Sequence, residues 1–139
     1  MAYPTFESVA IGEAVPVLTI DPISRTTLAL FAGASGDHNP MHIDIDVARS
    51  AGMKDVFAHG MLGMAYVGRF LTNWVPQQSL REFSIRFSAI TGVNEKIVCR
   101  GTVAEKREVD GEKLVLLDIS AINENGEIKL QGQSLIALP

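Results

Sequence analysis

The chain has 139 residues, of which 47% are hydrophobic, with a formal net charge of −4 at pH 7 and one cysteine. This length predicts a single domain spanning residues 1–139, whose core needs neither disulfides nor a structural metal. No run of Lys and Arg exceeds two residues, and no apolar run approaches the roughly 20 residues that cross a bilayer, which excludes a basic nucleic-acid groove and a membrane span.

The first half of the chain predicts one strand followed by helices. In chain order, the predicted elements are a strand at 15–20, a helix from Ser24 to the region of Gly33 to Gly36, a short helical piece at 47–50 and a long helix at 59–74. Asp21, Pro22 and Ser24 are typical of a helix start. The run HGMLGMAYVGRFLTNW, residues 59–74, carries a single charge. A helix that is apolar nearly all round is expected to be buried on most sides.

The second half changes to the period of β-strands. Phe83, Ile85 and Phe87 alternate with polar residues, which is the pattern of a half-buried strand. Asp110-Gly111 and Asn125-Gly126 separate the apolar runs that follow, and both dipeptides are strong hairpin signals. The later strands are predicted at 97–108, 113–122 and 128–138. We therefore expect four successive strands in an antiparallel meander, with the long helix against it, in an α+β fold.

The loop SGDHNPMH, residues 35–42, places chemistry-bearing side chains together. Pro40 excludes one continuous helix, so the loop can turn both Asp37 and His42 inward. A carboxylate and an imidazole on one rigid loop are what proton transfer to and from water requires. The same residue types are also ordinary turn formers. A metal site is a third interpretation, but its candidate ligands, His38, His42, Asp44, Asp46 and His59, match no established spacing.

His59-Gly60-Met61 opens the long apolar helix. A helix start offers backbone N–H groups without intrahelical partners and the positive end of the helix dipole. Gly60 leaves this backbone open to close approach by a ligand, such as a carbonyl oxygen that gains charge during a reaction. For Gly63 and Gly68 we favour a packing role, in which the missing side chains let the helix approach the sheet.

The compartment and the oligomeric state follow from composition. Cys99 has no partner for an internal disulfide, which is typical of a reducing compartment. The N-terminal residues show no basic stretch followed by an apolar block, so we expect a cytoplasmic protein. The high apolar fraction predicts that a partner subunit covers part of the surface.

Two segments, FAGASGDHNPMHIDIDVARSAG and AHGMLGMAYVGRFLTNW, resemble the signature of the MaoC-like dehydratases. This family includes the (R)-specific enoyl-CoA hydratases and the (3R)-hydroxyacyl-acyl-carrier-protein dehydratase subunits of bacterial fatty-acid elongation. The strand REFSIRFSAI is similar to the Arg-Phe strand of the family, and the likeness covers essentially the whole chain.

The resemblance implies a hot-dog fold, in which an antiparallel sheet wraps around a long central helix, as a homodimer or as a heterodimer with another hot-dog subunit. By position, Asp37 and His42 are the catalytic pair, and Asn39 supports their loop. The Gly60 N–H is expected to bind the thioester oxygen. The residues expected to contact the substrate are His59, Met61 and Leu62.

The implied reaction is the reversible hydration of trans-2-enoyl thioesters to (3R)-3-hydroxyacyl thioesters, without a metal or other cofactor. CoA or acyl carrier protein serves as the substrate carrier. Two alternatives stay open: an acyl-carrier-protein dehydratase subunit, and a hot-dog module that binds or hydrolyses acyl thioesters. A surface for acyl carrier protein should be basic, and Arg81, Arg86 and Lys96 are its candidates.

Overall fold

The computed structural model describes residues 2–139. These residues form an antiparallel five-stranded sheet and three α-helices. The elements are β1 (Leu18–Ile20), α1 (Arg25–Ser35), a 3₁₀ helix (Pro40–His42), α2 (Ile45–Ser50), α3 (Gly60–Trp74), a second 3₁₀ helix (Gln77–Ser79), β2 (Leu80–Phe87), β3 (Ile97–Val109), β4 (Glu112–Ile122) and β5 (Ile128–Ala137).

The helix ends lie where local capping residues predict them. The Ser24 hydroxyl accepts a hydrogen bond from the N–H of Thr27 and so begins α1. Gly36 ends this helix in the left-handed region, with φ 76°, and its N–H donates to the carbonyl of Ala32. Asp44 caps α2 in the same way as Ser24 caps α1. The predictions for α1, α2 and α3 are therefore confirmed to within a few residues.

The strand order is β1-β3-β4-β5-β2, which corrects the predicted four-strand meander. The hairpins β3-β4 and β4-β5 form as the Asp-Gly and Asn-Gly signals predict. β2, however, pairs with β5 at the far edge of the sheet and not with β3. The reason is the connection 88–96, which has no tight hairpin turn. It leaves β2 after Phe87, forms a bridge between Gly92 and Phe57, and reaches the start of β3 at the other side of the sheet.

Helix α3 lies against the sheet through positions where glycine permits close approach. A side chain at Gly63 would collide with Leu130 of β5, and one at Gly101 of β3 would press on the ring of Phe70 from α3. The helix buries Leu62, Val67, Phe70 and Leu71. A stripe along its opposite side, which includes Met61 and Ala65, is exposed. The prediction of burial on most sides is thus wrong for this stripe, whereas the packing role of Gly63 fits its contacts.

Gly132 of β5 leaves no room for a side chain between β5 and β2. A Cβ atom there would overlap the carbonyl oxygen of Ser84 in β2, which is backbone and cannot rotate away. Gly132→Ala is therefore expected to force β2 outward and to lower the free energy of unfolding by on the order of 2–3 kcal/mol. Thermal denaturation monitored by circular dichroism measures this loss.

The matched control for Gly132→Ala is Gly33→Ala. Gly33 lies in α1, is exposed, and has nothing within 4 Å of an added Cβ. Alanine is favoured over glycine inside a helix, so this variant should be as stable as the parent or slightly more stable. Equal destabilisation by the two substitutions would contradict the close approach of β2 to β5.

The predictions about a membrane span and about Cys99 can also be compared with the structure. Among residues 2–139, no helix combines the length and the hydropathy that a membrane crossing needs. Cys99 is fully buried in β3, and burial raises the pKa of its thiol to about 12. The thiol is therefore protonated at neutral pH and shielded from oxidants and metals.

Candidate active site

The loop between α1 and α2 is shaped by its own side chains. The Asp37 carboxylate accepts a hydrogen bond from the N–H of Asn39 at 3.2 Å. The side-chain oxygen of Asn39 accepts the N–H of Met41 at 3.1 Å and so caps the 3₁₀ helix that Pro40 begins. The Asn39 side chain thus helps to fix the shape of the loop. Asp37 itself is exposed.

His42 is buried and presents one nitrogen for proton transfer. Its Nδ1 lies 2.7 Å from the carbonyl oxygen of Phe57, and the imidazole is 8% exposed. Because a carbonyl oxygen only accepts hydrogen bonds, Nδ1 carries the proton. Nε2 is then the ring nitrogen that is left for proton transfer with water.

His59 contacts both Asp37 and His42. Its Nε2–H donates to the backbone carbonyl of Asp37 at 3.1 Å, so its Nδ1 is unprotonated. That Nδ1 atom is buried without a hydrogen-bond partner among the described residues. Burial lowers the pKa of His59 below its ordinary value, and the ring is neutral at pH 7. The rings of His59 and His42 stack with their centroids 4.0 Å apart.

Asp37, His42 and His59 bring one ligand atom each within 4.8 Å of one another. The ring geometry does not suit a shared metal. A metal ion bound by two imidazoles lies about 2.0–2.1 Å from each nitrogen, close to the plane of each ring. The two rings are inclined by only 29°, so their lone pairs run side by side and do not converge on one point. The arrangement instead suits proton transfer at the Asp37 carboxylate and at His42 Nε2.

Gly60 supplies a free backbone donor next to this pair. It is the first residue of α3, and no described residue accepts a hydrogen bond from its N–H. The aromatic ring of Phe87 lies over it, and an added Cβ would contact this ring at 3.2 Å. A free N–H at the positive end of a helix dipole stabilises an oxygen that gains negative charge.

An apolar cavity of about 320 Å³ connects these groups. His42, His59 and Gly60 line it, and the Asp37 carboxylate, which does not line it, lies within 4.8 Å of a nitrogen of each imidazole. Met61 and Leu62, which were expected to contact a substrate, do not line the cavity. Met61 points to solvent and Leu62 into the core, because successive helix residues are rotated by about 100° and Gly60 and Gly63 occupy the cavity side.

Comparison with known proteins decides the family. The model of the MaoC-like domain matches residues 7–125. The chain belongs to this family. An (R)-specific enoyl-CoA hydratase from Rhodospirillum rubrum is 25% identical over 136 residues, which cover 96% of this chain and 91% of the relative. The solved structure of the (R)-hydratase PhaJ1 from Pseudomonas aeruginosa is 25% identical and has a TM-score of 0.84, covering 97% of this chain and 85% of that one.

A third relative is much longer. Fatty acid synthase subunit beta from Saccharomyces cerevisiae is 24% identical over 136 residues, and the match covers 96% of this MaoC-like chain but 6% of the yeast subunit. The likeness to solved structures confirms the hot-dog fold, with α3 as the central helix. The chain is accordingly an enzyme of a hydratase and dehydratase family of lyases.

Sequence reasoning missed one wall of the cavity in this MaoC-like domain. Residues 87–91, at and after the end of β2, line it together with Tyr66 of α3 and Lys129 of β5. Lys129 is buried, with its ammonium group bonded to the carbonyl of Ile90 at 2.7 Å and to the carboxylate of Glu95 at 2.9 Å. An isolated lysine in a strand gives no local sign of burial. The sequence signal for this wall of the cavity was the absence of a hairpin turn after Phe87.

The basic residues predicted to contact a carrier lie elsewhere. Arg81 is held by Glu112 and by the carbonyl of Gln78, away from the cavity. Arg86 and Lys96 are exposed, and neither lines the cavity. Their proposed contact with a carrier stays a prediction.

Proposed function

We propose that this protein reversibly hydrates trans-2-enoyl thioesters of CoA to (3R)-3-hydroxyacyl thioesters. One observation carries the proposal: the Asp37 carboxylate lies within 4.8 Å of the imidazole of His42, and His42 and the unpaired Gly60 N–H line the same apolar cavity. These are the groups that the addition of water to a polarised double bond requires. The similarity to an (R)-specific enoyl-CoA hydratase supports the same reaction.

The chemistry follows from the positions of these groups. The thioester oxygen accepts a hydrogen bond from the Gly60 N–H, which draws electron density from the double bond and makes Cβ electrophilic. A water molecule held between the Asp37 carboxylate and His42 Nε2 forms the new C–O bond at Cβ. One proton of that water passes to the pair, and a proton from the pair is delivered to Cα. The protonation states of the two groups are coupled, and a pH profile reports the pair.

The acyl chain of the substrate is expected to occupy the cavity. Its lining is largely apolar, with Ile23, Phe57, Ile97 and Leu130 among the contributors. An apolar chain placed there leaves water, while the thioester stays at the polar end with Gly60. Because proton transfer and hydrogen bonding supply the chemistry, we propose that the enzyme needs no resident cofactor and that CoA is the carrier of the acyl group.

We propose that the working form is a homodimer of this chain in the cytoplasm. β2 lies at the edge of the sheet with one side unpaired, and apolar Phe87 and Ile90 are about half exposed beside the cavity. An eight-residue open edge and exposed apolar side chains favour pairing with a second copy. A heterodimer with another hot-dog subunit that acts on acyl carrier protein is the alternative. Light scattering on the purified chain gives its molar mass directly.

Assays of the purified chain separate the functions. Crotonyl-CoA and longer enoyl-CoA substrates should lose the absorbance of the conjugated thioester, and a thiol-reactive dye should detect no free CoA. The same acyl groups on acyl carrier protein should react more slowly. Preference for the protein-bound substrates would instead support the dehydratase subunit. Release of free thiol would support a thioesterase.

A further inference from the structure

His59 is buried at the point where three elements of the site meet. It is 1% exposed and immediately precedes Gly60, the first residue of α3. Its ring contacts Phe31 of α1 edge to face at a centroid distance of 4.8 Å. The same ring stacks on His42, which ends the first 3₁₀ helix. Its Nε2–H binds the backbone of Asp37. The His59 imidazole therefore contacts both Asp37 and His42, and His59 is the neighbour of Gly60 in the chain.

His59 has no polar atom to offer a substrate. Nε2 is engaged by the Asp37 carbonyl, and Nδ1 is enclosed by protein and has no partner. A substrate would therefore meet the face or edge of the ring and not a hydrogen-bonding nitrogen. This contrasts with the expectation that His59 binds substrate, which rested on its place in the motif.

The bond from His42 to the Phe57 carbonyl anchors the end of the loop, but residues 36–39 have no comparable anchor apart from His59. Residues 35–40 are all exposed, and the hydrogen bonds of Asp37 and Asn39 side chains go to backbone groups within the same loop. Such local bonds fix the shape of the loop and leave its position relative to α3 free. The bond from His59 to the Asp37 carbonyl is the one side-chain hydrogen bond that ties described residues 36–39 to α3.

We propose that His59 is a positioning residue, which sets the location of the Asp37 carboxylate relative to His42 Nε2 and the Gly60 N–H. The inference rests on the proposed hydration for its kinetic part. His59 acts through the hydrogen bond to Asp37, while its neutral ring packs on His42 without placing a positive charge beside it. A shift of about 1 Å in a catalytic group lowers turnover by about 100-fold, so small displacements of this loop matter.

Two variants separate the hydrogen bond from the packing. His59→Gln can place its amide N–H near the position of Nε2 and keep the bond to Asp37. His59→Phe keeps a flat ring against His42 and Phe31 but has no donor. With crotonyl-CoA, we expect His59→Phe to lower kcat by about 100-fold with KM changed by less than about threefold. His59→Gln should recover at least about tenfold of that loss.

A double-mutant cycle tests whether His59 acts through Asp37. In an Asp37→Asn background, His59→Phe should lower kcat by less than about threefold, because the group that it positions is already lost. A role in stability alone would give the same factor in both backgrounds. Equal losses in the two backgrounds, or equal kcat for the Phe and Gln variants, would overturn the proposal.

A measurement without substrate keeps the inference separate from the proposed function. Amide hydrogen exchange at residues 37–39 should be faster in His59→Phe than in the parent and close to the parent in His59→Gln. In ¹⁵N spectra of the parent, His59 should show the Nε2–H tautomer and His42 the Nδ1–H tautomer. If the parent hydrates no enoyl thioester, the proposed function fails. Unchanged amide hydrogen exchange at residues 37–39 in both variants would independently contradict the positioning role of His59.

Discussion

Asp37→Asn and His42→Asn are each expected to lower kcat with crotonyl-CoA by on the order of 10²–10⁴-fold, because each removes a group that moves a proton in the transition state. Both variants keep the local fold. The amide oxygen of an asparagine at position 37 can still accept the N–H of Asn39, as the carboxylate does. The amide N–H of an asparagine at position 42 can replace Nδ1 in the bond to the Phe57 carbonyl.

Steady-state kinetics, with melting temperatures as a check of folding, measure these effects. The matched controls are Asp46→Asn and His38→Ala, which change the same residue types at exposed positions outside the cavity. Both controls should keep activity within about twofold, since exposed substitutions away from special features have small effects. Near-normal turnover by Asp37→Asn or by His42→Asn would show that this pair does not carry the proton transfer.

Gly60→Pro is expected to lower kcat by about 100- to 1,000-fold relative to Gly60→Ala, because proline removes the N–H that binds the thioester oxygen. Position 60 tolerates proline unusually well. It is the first residue of α3, where the N–H has no helical partner, and His59 before it has φ −56° and ψ 136°, which a following proline permits. The helix is therefore expected to form in both variants.

Gly60→Ala is the control for the added bulk at this position. Alanine and proline both place a Cβ near the ring of Phe87, which must move by a few tenths of an ångström in either variant. Only proline replaces the N–H, so the ratio of the two kcat values removes the effect of the added Cβ and reports the loss of the donor together with the proline ring that replaces it. Equal turnover by the alanine and proline variants, with similar melting temperatures, would rule out Gly60 as the donor to the thioester oxygen.

Helix boundaries could be predicted because their signals are local. Ser24 and Gly36 act on the backbone within a few residues, and the sequence alone places them. The hairpins at Gly111 and Gly126 form for the same reason, and both glycines adopt positive φ. The partner of β2 could not be predicted in this way. Its pairing with β5 depends on contacts between residues about 50 apart in the chain.

In the candidate site, too, residues with local sequence signals could be predicted and residues placed by long-range contacts could not. Asp37, Asn39 and His42 were predicted from one short loop, and the structure brings the Asp37 carboxylate close to His42. The resemblance implies that Met61 and Leu62 contact the substrate, but side chains on a helix follow its period, and these two point away from the cavity. The role that we propose for His59 became visible only with the contact between α3 and the loop.

The most direct test of the central proposal is the incubation of crotonyl-CoA with the purified chain in water enriched in heavy oxygen. We expect the absorbance of the conjugated thioester to fall and mass spectrometry to find one heavy oxygen in 3-hydroxybutyryl-CoA, with the thioester intact. Asp37→Asn should show almost no incorporation over the same time. Release of free CoA, or an unchanged enoyl thioester in the presence of folded protein, would contradict the assignment.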